Sequence, residues 1–159
     1  MRIGFGYDSH RFEAGRRLLL GGVEIVGETG LTGHSDADVV LHAVIDAMLG
    51  AAALGDIGHH FPDTDEKWRG ADSSVLLSAV VREVAQAGWR VGNIDISVIC
   101  ERPRLRPYID LMRERVAELL GIPVHDVSIK GKTNEKMDDV GAGVGIEVHA
   151  VCLLKGIKQ

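Results

Sequence analysis

Three side chains in the first part of the chain are suited to bind a metal ion. Asp8 and His10 are two residues apart, so on an extended strand both point to the same side. His42 lies in a segment with helical spacing, and a carboxylate with imidazoles is a ligand set that Zn²⁺ accepts. Three protein ligands leave a fourth position open, as in catalytic zinc sites. We therefore predict a zinc site here, with Asp38 or Asp46 orienting His42 from one helical turn away.

Residues that could bind phosphate or hydroxyl groups of a ligand lie on either side of the predicted helix that contains His42. His34 directly precedes Ser35, and a helix N-terminus favours anions, so His34 could donate to a phosphate oxygen. The alternative is that His34 only precedes a serine cap. A later loop contains Asp56, Ile57 and Gly58, followed by Phe61, Pro62, Asp63, Thr64 and Asp65. Its carboxylates could accept hydrogen bonds from substrate hydroxyl groups, although Asp, Pro and Gly are also ordinary turn residues.

Two further segments follow predicted strands. The first is the basic segment Cys100, Glu101, Arg102, Pro103, Arg104, Leu105 and Arg106. It could hold a phosphate and a base, and the alternative is a solvated surface turn. The second is the polar junction Lys130, Lys132, Thr133, Asn134, Glu135 and Lys136. In it, Thr133 could donate to a phosphoryl oxygen and Glu135 could bind a hard cation such as Mg²⁺. The glycine-rich loop of P-loop enzymes does not occur in the sequence.

Periodicity and turn residues predict the elements that would position these groups. Strands are predicted at 2–7, 89–100, 127–132 and 146–154, and a strand region broken by Gly21 and Gly22 is predicted at 17–26. Helices are predicted from Ser35 or Asp36 to about residue 53, from Asp72 or Ser73 to about residue 87, and over 108–120. The segments 59–69 and 133–145 are predicted as irregular, with His59 and His60 as loop residues.

Strands separated by helices indicate an α/β domain. We expect a mixed sheet of about four main strands with the helices on one face. The second face of the last strand carries mixed side chains, so another subunit could cover it. With 159 residues, the chain suits a single domain over 1–159.

The composition argues against several classes of protein. A net charge of −5 disfavours nucleic acid as a partner, because a phosphate backbone needs a basic surface. The longest apolar stretch, 47–54, is too short to span a bilayer, so no membrane partner is expected. We expect a cytoplasmic location, or a plastid-type organelle if a transit peptide was removed. Cys100 and Cys152 are predicted to be buried free thiols, since two cysteines make no secreted disulfide framework.

Taken together, the motifs resemble one known family. Asp-x-His in 6–10, His-Ser-Asp in 34–42, the segment 55–58, Phe-Pro-Asp-Thr-Asp in 61–65 and the segment 132–136 occur in the family's order. The chain resembles the 2-C-methyl-D-erythritol 2,4-cyclodiphosphate synthases of non-mevalonate isoprenoid biosynthesis. The resemblance implies 4-diphosphocytidyl-2-C-methyl-D-erythritol 2-phosphate as the substrate, whose 2-phosphate attacks the β-phosphorus, expels CMP and closes a cyclic diphosphate. It also implies a homotrimer with active sites between subunits.

The resemblance further implies roles for the candidate residues. Zn²⁺ would bind to Asp8, His10 and His42, and a second divalent ion, Mg²⁺ or Mn²⁺, would bridge the substrate's diphosphate and Glu135. His34 and Thr133 would stabilise the transition state. The implied substrate contacts are Asp8, Ser9, His10, His34, Ser35, the segments 56–58 and 61–65, the cytidine loop 100–106, and 132–135. Arg104 would face a phosphate of CMP where the family commonly has lysine.

The segment after Lys136 departs from the family pattern. The family often has an aromatic residue and an arginine where this chain has Asp139 and Ala142. These positions lie near the central channel of the family's trimer, so we expect the channel not to bind isoprenoid diphosphates. Two other functions remain open. One is a nonenzymatic trimeric nucleotide-binding scaffold that kept the pocket, and the other is a zinc hydrolase that releases a linear diphosphate.

Overall fold

The structure is a computed structural model, and it describes residues 1–157. The strands of this part of the chain are β1 (Arg2–Glu13), β2 (Leu19–Leu20), β3 (Val23–Glu24), β4 (Gly30–Leu31), β5 (Trp89–Ile99), β6 (Val127–Lys132) and β7 (Gly145–Gly156). The helices are α1 (Val39–Ala52), α2 (Ile57–His60), α3 (Ser73–Gln86), α4 (Ile109–Leu120) and α5 (Asp138–Gly141). The predicted single α/β domain is therefore confirmed in its main elements.

Five of the strands form one mixed sheet in the order β4-β1-β7-β5-β6. β7 is antiparallel to both of its neighbours, β1 and β5, whereas β5 and β6 are parallel. One row of residues crosses the sheet from Asp8 through Val148 and Val98 to Gly131. Since β4 is only two residues long, the sheet has the four main strands that the sequence predicted.

The helices lie on one face of the sheet, as predicted. α1 packs on β1 and β7, α4 packs on β6, and α3 packs against both of these helices. Every residue of α1 except Asp46 and Gly50 is buried. α1 is apolar on nearly all sides because it lies between the sheet and α3, at the centre of the core.

The opposite face of the sheet carries exposed apolar side chains. Ile3, Phe5 and Tyr7 on β1 are 74%, 60% and 44% exposed, and Val151 on β7 is 43% exposed. His149 on β7 lies beside the aromatic rings of β1. Its ring centroid is 5.1 Å from that of Tyr7 and 5.8 Å from that of Phe5. We call these five residues the open face. A contiguous apolar patch of this kind is typical of an interaction surface.

Several predicted boundaries differ from the observed ones. β1 continues past Tyr7 to Glu13, because its second half pairs with β4 as well as with β7. The strand region over 17–26 is confirmed to break at Gly21 and Gly22, and it is shorter than predicted, a hairpin of the two-residue strands β2 and β3. The short helices α2 and α5 form within segments predicted as loops. The helix over 108–120 is confirmed to within one residue.

The predicted N-cap of α1 is wrong. The helix begins after Asp38, whose carboxylate accepts hydrogen bonds from the backbone N–H groups of Val40 and Leu41. Ser35 and Asp36, the predicted caps, lie in the preceding segment. By contrast, α3 begins at one of its predicted caps, Asp72, which accepts a hydrogen bond from the backbone of the second helical residue.

The two cysteines are buried and free, as predicted. Burial raises the pKa of Cys100 to about 11, with a smaller contribution from the negative charge of Glu101. Burial alone raises the pKa of Cys152 to about 12. Among the residues that the structure describes, no helix is both long enough and apolar enough to span a membrane.

Candidate metal centre and nucleotide pocket

Asp8, His10 and His42 meet where β1 passes beneath α1. The Oδ2 atom of Asp8 lies 3.0 Å from both His10 Nε2 and His42 Nδ1, and the two nitrogen atoms are 3.3 Å apart. Tetrahedral zinc with ligands at about 2.0–2.1 Å would place its ligand atoms about 3.3–3.4 Å from one another, so this triangle is close to the required size. Within residues 1–157 it is the one cluster of this kind. The structure thus brings together the three predicted ligands in an arrangement consistent with a divalent metal.

The pKa values of two of these side chains, Asp8 and His10, are shifted by their surroundings. Burial alone would raise the pKa of Asp8, but hydrogen bonds and charge interactions with His10 and His42 outweigh it and lower the pKa to about 2. Burial would likewise lower the pKa of His10, yet its hydrogen bond to Asp8 raises that pKa above the usual value. The carboxylate is therefore ionised at neutral pH, as a metal ligand must be.

Two serines contact the ring of His42 on the side away from Asp8. His42 Nε2 lies 2.9 Å from Ser73 Oγ and 3.1 Å from Ser35 Oγ. Ser35 was predicted as a site residue. The contact with Ser73 was missed, because its position suggested only a helix cap and it lies 31 residues further along the chain.

The predicted support of His42 by Asp38 or Asp46 is wrong. Besides capping α1, the Asp38 carboxylate accepts hydrogen bonds from the backbone N–H groups of Gly21 and Gly22. Asp46 Oδ1 instead accepts a hydrogen bond of 2.7 Å from the backbone of Ile57. Asp46 thus ties α1 to the start of the loop that carries Asp56.

The loop between α1 and α3 is connected to His34. The imidazole of His34 donates from Nε2 to the carbonyl oxygen of Asp65, 3.2 Å away. The side chain of Asp56 accepts a hydrogen bond from the backbone of His59, and that of Asp65 accepts one from the backbone of Lys67. Both carboxylates therefore make the turn contacts that were the alternative interpretation of this loop. Their contact with a substrate stays a prediction.

An open pocket of about 470 Å³ lies at the ends of β5 and β6. Its lining consists of Cys100, Glu101, Pro103, Arg104, Leu105, Arg106, Ile109, Ile129, Lys130, Gly131, Lys132 and Thr133. The structure therefore joins the predicted cytidine loop to the predicted junction after β6. Lys130 belongs to the predicted junction, and three of the lining residues were not predicted: Ile109, Ile129 and Gly131. Gly131 carried a usable signal, because a glycine inside a strand often marks a close approach, and a Cβ there would lie 3.4 Å from Leu105.

Glu101 shapes the loop that follows β6. Its Oε1 atom accepts hydrogen bonds from the backbone N–H groups of Asn134, at 3.0 Å, and Lys136, at 3.2 Å. Glu135 and Lys136 have φ angles of 50° and 63°, in the left-handed region that most residues avoid. The hydroxyl group of Thr133 donates to the Glu135 carboxylate at 3.1 Å. The two predicted functional residues Thr133 and Glu135 are thus adjacent in space.

Comparison with known proteins identifies the family. The sequence model of the YgbB family matches residues 1–155. The chain belongs to the YgbB family. A curated relative from Brachyspira hyodysenteriae, named 2-C-methyl-D-erythritol 2,4-cyclodiphosphate synthase, is 56% identical over 158 residues, which are 99% of this chain and 100% of the relative. A relative of the same name from Thermosynechococcus vestitus is 56% identical over 98% of this chain and 96% of its own length.

Solved structures agree with this assignment to the YgbB family. A structure of 2C-methyl-D-erythritol-2,4-cyclodiphosphate synthase in a form bound to CDP has a TM-score of 0.89 and is 38% identical. The alignment covers 97% of this chain and 100% of that chain. The resemblance found in the motifs is therefore confirmed.

In this member of the YgbB family, the cluster of Asp8, His10 and His42 and the pocket at the ends of β5 and β6 lie apart. Asp8 and Gly131 occupy the same row of the sheet, but the strands β7 and β5 separate them. Three strand spacings of about 4.8 Å place them about 14 Å apart. Ser9 follows Asp8 on the opposite side of β1, so its side chain is not brought to the metal centre.

Proposed function

We propose that this chain converts 4-diphosphocytidyl-2-C-methyl-D-erythritol 2-phosphate into 2-C-methyl-D-erythritol 2,4-cyclodiphosphate and CMP, a step of non-mevalonate isoprenoid precursor biosynthesis. The observation that carries the proposal is the triangle of Asp8, His10 and His42, which leaves a metal position open to a phosphate. The names of its relatives and its membership of the YgbB family support the same reaction. A cytoplasmic location stays a prediction.

The proposed reaction is a displacement within the substrate. An oxygen of the 2-phosphate forms a bond to the β-phosphorus. The bond from that phosphorus to the oxygen shared with the α-phosphate breaks, and CMP leaves with the electron pair. Because the nucleophile belongs to the substrate, the chain needs no activated serine or cysteine. Catalysis of phosphoryl transfer then depends on positioning and on neutralising charge.

The chain's own residues would supply both effects. Asp8, His10 and His42 would hold Zn²⁺, and Glu135 would hold the second divalent ion, Mg²⁺ or Mn²⁺. When bound, such ions polarise phosphate oxygens and offset their negative charge. His34 and Thr133 would donate hydrogen bonds to the phosphoryl oxygens on which charge develops. When substrate binds, His34 would break its hydrogen bond to the Asp65 carbonyl oxygen, and Thr133 would break its hydrogen bond to the Glu135 carboxylate.

The pocket at the ends of β5 and β6 would hold the cytidine nucleotide. Its volume of about 470 Å³ lies in the range usual for small-molecule sites. Leu105 and Ile109 provide apolar surface for a base, and Arg104 and Arg106 provide cations for phosphate groups. CDP in the solved relative supports a nucleotide ligand of this kind.

We also propose a homotrimer whose active sites lie between subunits. The open face would be covered by other copies of the chain, which would remove its exposed apolar side chains from water. The separation of about 14 Å between Asp8 and Gly131 across one sheet supports a site that combines the metal centre of one copy with the nucleotide pocket of the next.

The product of the reaction tests this proposal. Purified protein with Zn²⁺, Mg²⁺ and the substrate should yield the cyclic diphosphate in the ³¹P NMR spectrum, with one CMP released for each substrate consumed. A linear diphosphate in that spectrum would identify a zinc hydrolase instead. Binding of CDP without any release of CMP would identify a nucleotide-binding scaffold.

A further inference from the structure

We propose that Ser73 and Asp36 act as positioning residues for the metal centre, by fixing the His42 imidazole in the one tautomer that can ligate. They form a chain of hydrogen bonds from the Asp36 carboxylate through the Ser73 hydroxyl to His42 Nε2. This inference deepens the proposed function and rests on the metal centre at Asp8, His10 and His42. Neither Ser73 nor Asp36 touches the metal position itself.

The two ring nitrogens of His42 have different surroundings. Nδ1 faces the metal position, 3.0 Å from Asp8 Oδ2 and 3.3 Å from His10 Nε2. Nε2 faces the other way, towards the start of α3, and lies 2.9 Å from Ser73 Oγ. A neutral imidazole can offer Nδ1 to a metal only if its hydrogen is on Nε2. Anything that holds a hydrogen on Nε2 therefore prepares Nδ1 as a ligand.

The hydroxyl hydrogen of Ser73 already takes part in a hydrogen bond to Asp36. It donates to Oδ1 of Asp36, while the backbone N–H of Ser73 donates to Oδ2 of the same carboxylate at 2.9 Å. A hydroxyl group has one hydrogen, so the Ser73 oxygen can only accept from His42 Nε2. The negative charge of Asp36 thus acts on His42 through Ser73, and it favours the tautomer with hydrogen on Nε2.

Ser35 alone would not set the tautomer. Its Oγ atom accepts a hydrogen bond from the backbone of Ala37 and lies 3.1 Å from His42 Nε2. No carboxylate within the described chain takes up the Ser35 hydroxyl hydrogen, so this serine could either accept from Nε2 or donate to it. The contact with Ser73 removes that ambiguity.

Burial makes the contact hard to replace. Ser73 is 0% exposed, and His42 and Ser35 are each 8% exposed. Water therefore has little access to Nε2 once the Ser73 hydroxyl is gone. Partners that orient a metal-ligating histidine in this way are typically worth about 10–100-fold in metal affinity.

Zinc affinity tests the inference without relying on turnover. We would measure the Kd for Zn²⁺ by competition with a chromogenic chelator, in the parent and in Ser73→Ala and Asp36→Asn. Both variants should bind zinc about 10–100-fold more weakly. Ser78→Ala is the matched control, because it removes another α3 hydroxyl, one that donates to the Ser74 carbonyl oxygen at 2.7 Å. It should bind zinc as the parent does, and His42→Ala should lose most of its zinc.

A second readout reports on the tautomer itself. In ¹⁵N spectra of the zinc-loaded parent, the His42 Nε2–H hydrogen should be slow to exchange with water, and in Ser73→Ala it should exchange faster. Parental zinc affinity in both Ser73→Ala and Asp36→Asn would overturn the inference and leave the metal centre intact. If Ser73→Ala fails to fold, Asp36→Asn alone decides. A parent protein that binds no zinc would overturn the metal centre and this inference together.

Discussion

Gly6 of β1 lies directly against the backbone of Ala43 on α1. A Cβ atom added to Gly6 would fall 1.9 Å from the carbonyl oxygen of Ala43, far inside any allowed contact. Gly4 has the same relationship with Ala47. The absence of side chains at these two positions lets the helix lie on the strand. This close approach places His42, the residue before Ala43, beside the ligands on β1.

Replacing Gly6 with alanine should therefore disturb both stability and metal binding. We expect Gly6→Ala to lower the free energy of unfolding by at least about 1–3 kcal/mol, since the backbone of α1 must move away. It should also weaken zinc binding, because His42 moves with the helix. Denaturant unfolding and chelator competition would measure the two effects.

The matched control for that change is Gly50→Ala on the same helix. A Cβ there would meet only the Phe5 carbonyl oxygen at 3.9 Å, an ordinary contact. This variant should keep its zinc affinity and gain up to about 1 kcal/mol from the better helix propensity of alanine. Equal behaviour of the two variants would contradict the role given to the close approach.

Thr133→Ala should slow the chemical step while leaving zinc and nucleotide binding nearly unchanged. Its hydroxyl group is proposed to contact a phosphoryl oxygen in the transition state, and loss of one such donor typically costs about 10²-fold or more in kcat. Single-turnover kinetics and titration with CDP would separate chemistry from binding. Thr133→Ser, which keeps the hydroxyl, should recover most of the rate. A kcat within a few-fold of the parent in Thr133→Ala would leave Thr133 with a structural role only.

Mixing two inactive variants should restore activity if the sites are shared between copies. His42→Ala lacks a metal ligand, and the double variant Arg104→Ala/Glu135→Ala lacks groups of the nucleotide and second-ion sites. After co-refolding of equal amounts, random assembly would leave about a quarter of the subunit junctions with both intact halves. Activity near that fraction is the expected result. Absence of rescue, or a monomeric mass for the active parent by light scattering, would contradict the shared site.

The proposed trimer should not bind farnesyl diphosphate along its axis. Asp139 stands where the family often has an aromatic residue, and the structure pairs it with Arg11 at 3.3 Å. A carboxylate from each subunit would repel a diphosphate, and its negative charge offsets that of the neighbouring Arg11 cation. Calorimetric titration of the parent should show no saturable binding. The double variant Asp139→Phe/Ala142→Arg, which introduces the family's usual residue types, is the control expected to bind one ligand per trimer.

The cluster of Asp8, His10 and His42 was predictable from the sequence because the geometry of its parts is local. Asp8 and His10 share a side of β1 by strand alternation, and His42 lies on a helix whose apolar spacing is clear. The family was predictable for a similar reason, since the motifs keep their order and spacing along the chain. That prediction and the enzyme class that follows from it are confirmed.

The supports of His42 could not be predicted because they depend on tertiary packing. Ser35, Asp36 and Asp38 are all residue types that cap helices. Only the position of the β2–β3 hairpin, which offers the N–H groups of Gly21 and Gly22 to Asp38, decides which of them caps α1. Asp36 is then left to bind Ser73, a contact that exists because α3 packs beside α1. The order of the strands in the sheet is likewise a long-range property.

The burial of Cys100 and Cys152 has a practical consequence for studying assembly. Burial raises the pKa values of these thiols to about 11 and 12, and the residues are only 4% and 0% exposed, so both should resist maleimide and iodoacetamide reagents at neutral pH. The natural chain therefore needs no cysteine removal before site-specific labelling. A single cysteine introduced at an exposed loop would carry a donor or acceptor dye cleanly, so that energy transfer between differently labelled copies could follow subunit exchange in real time.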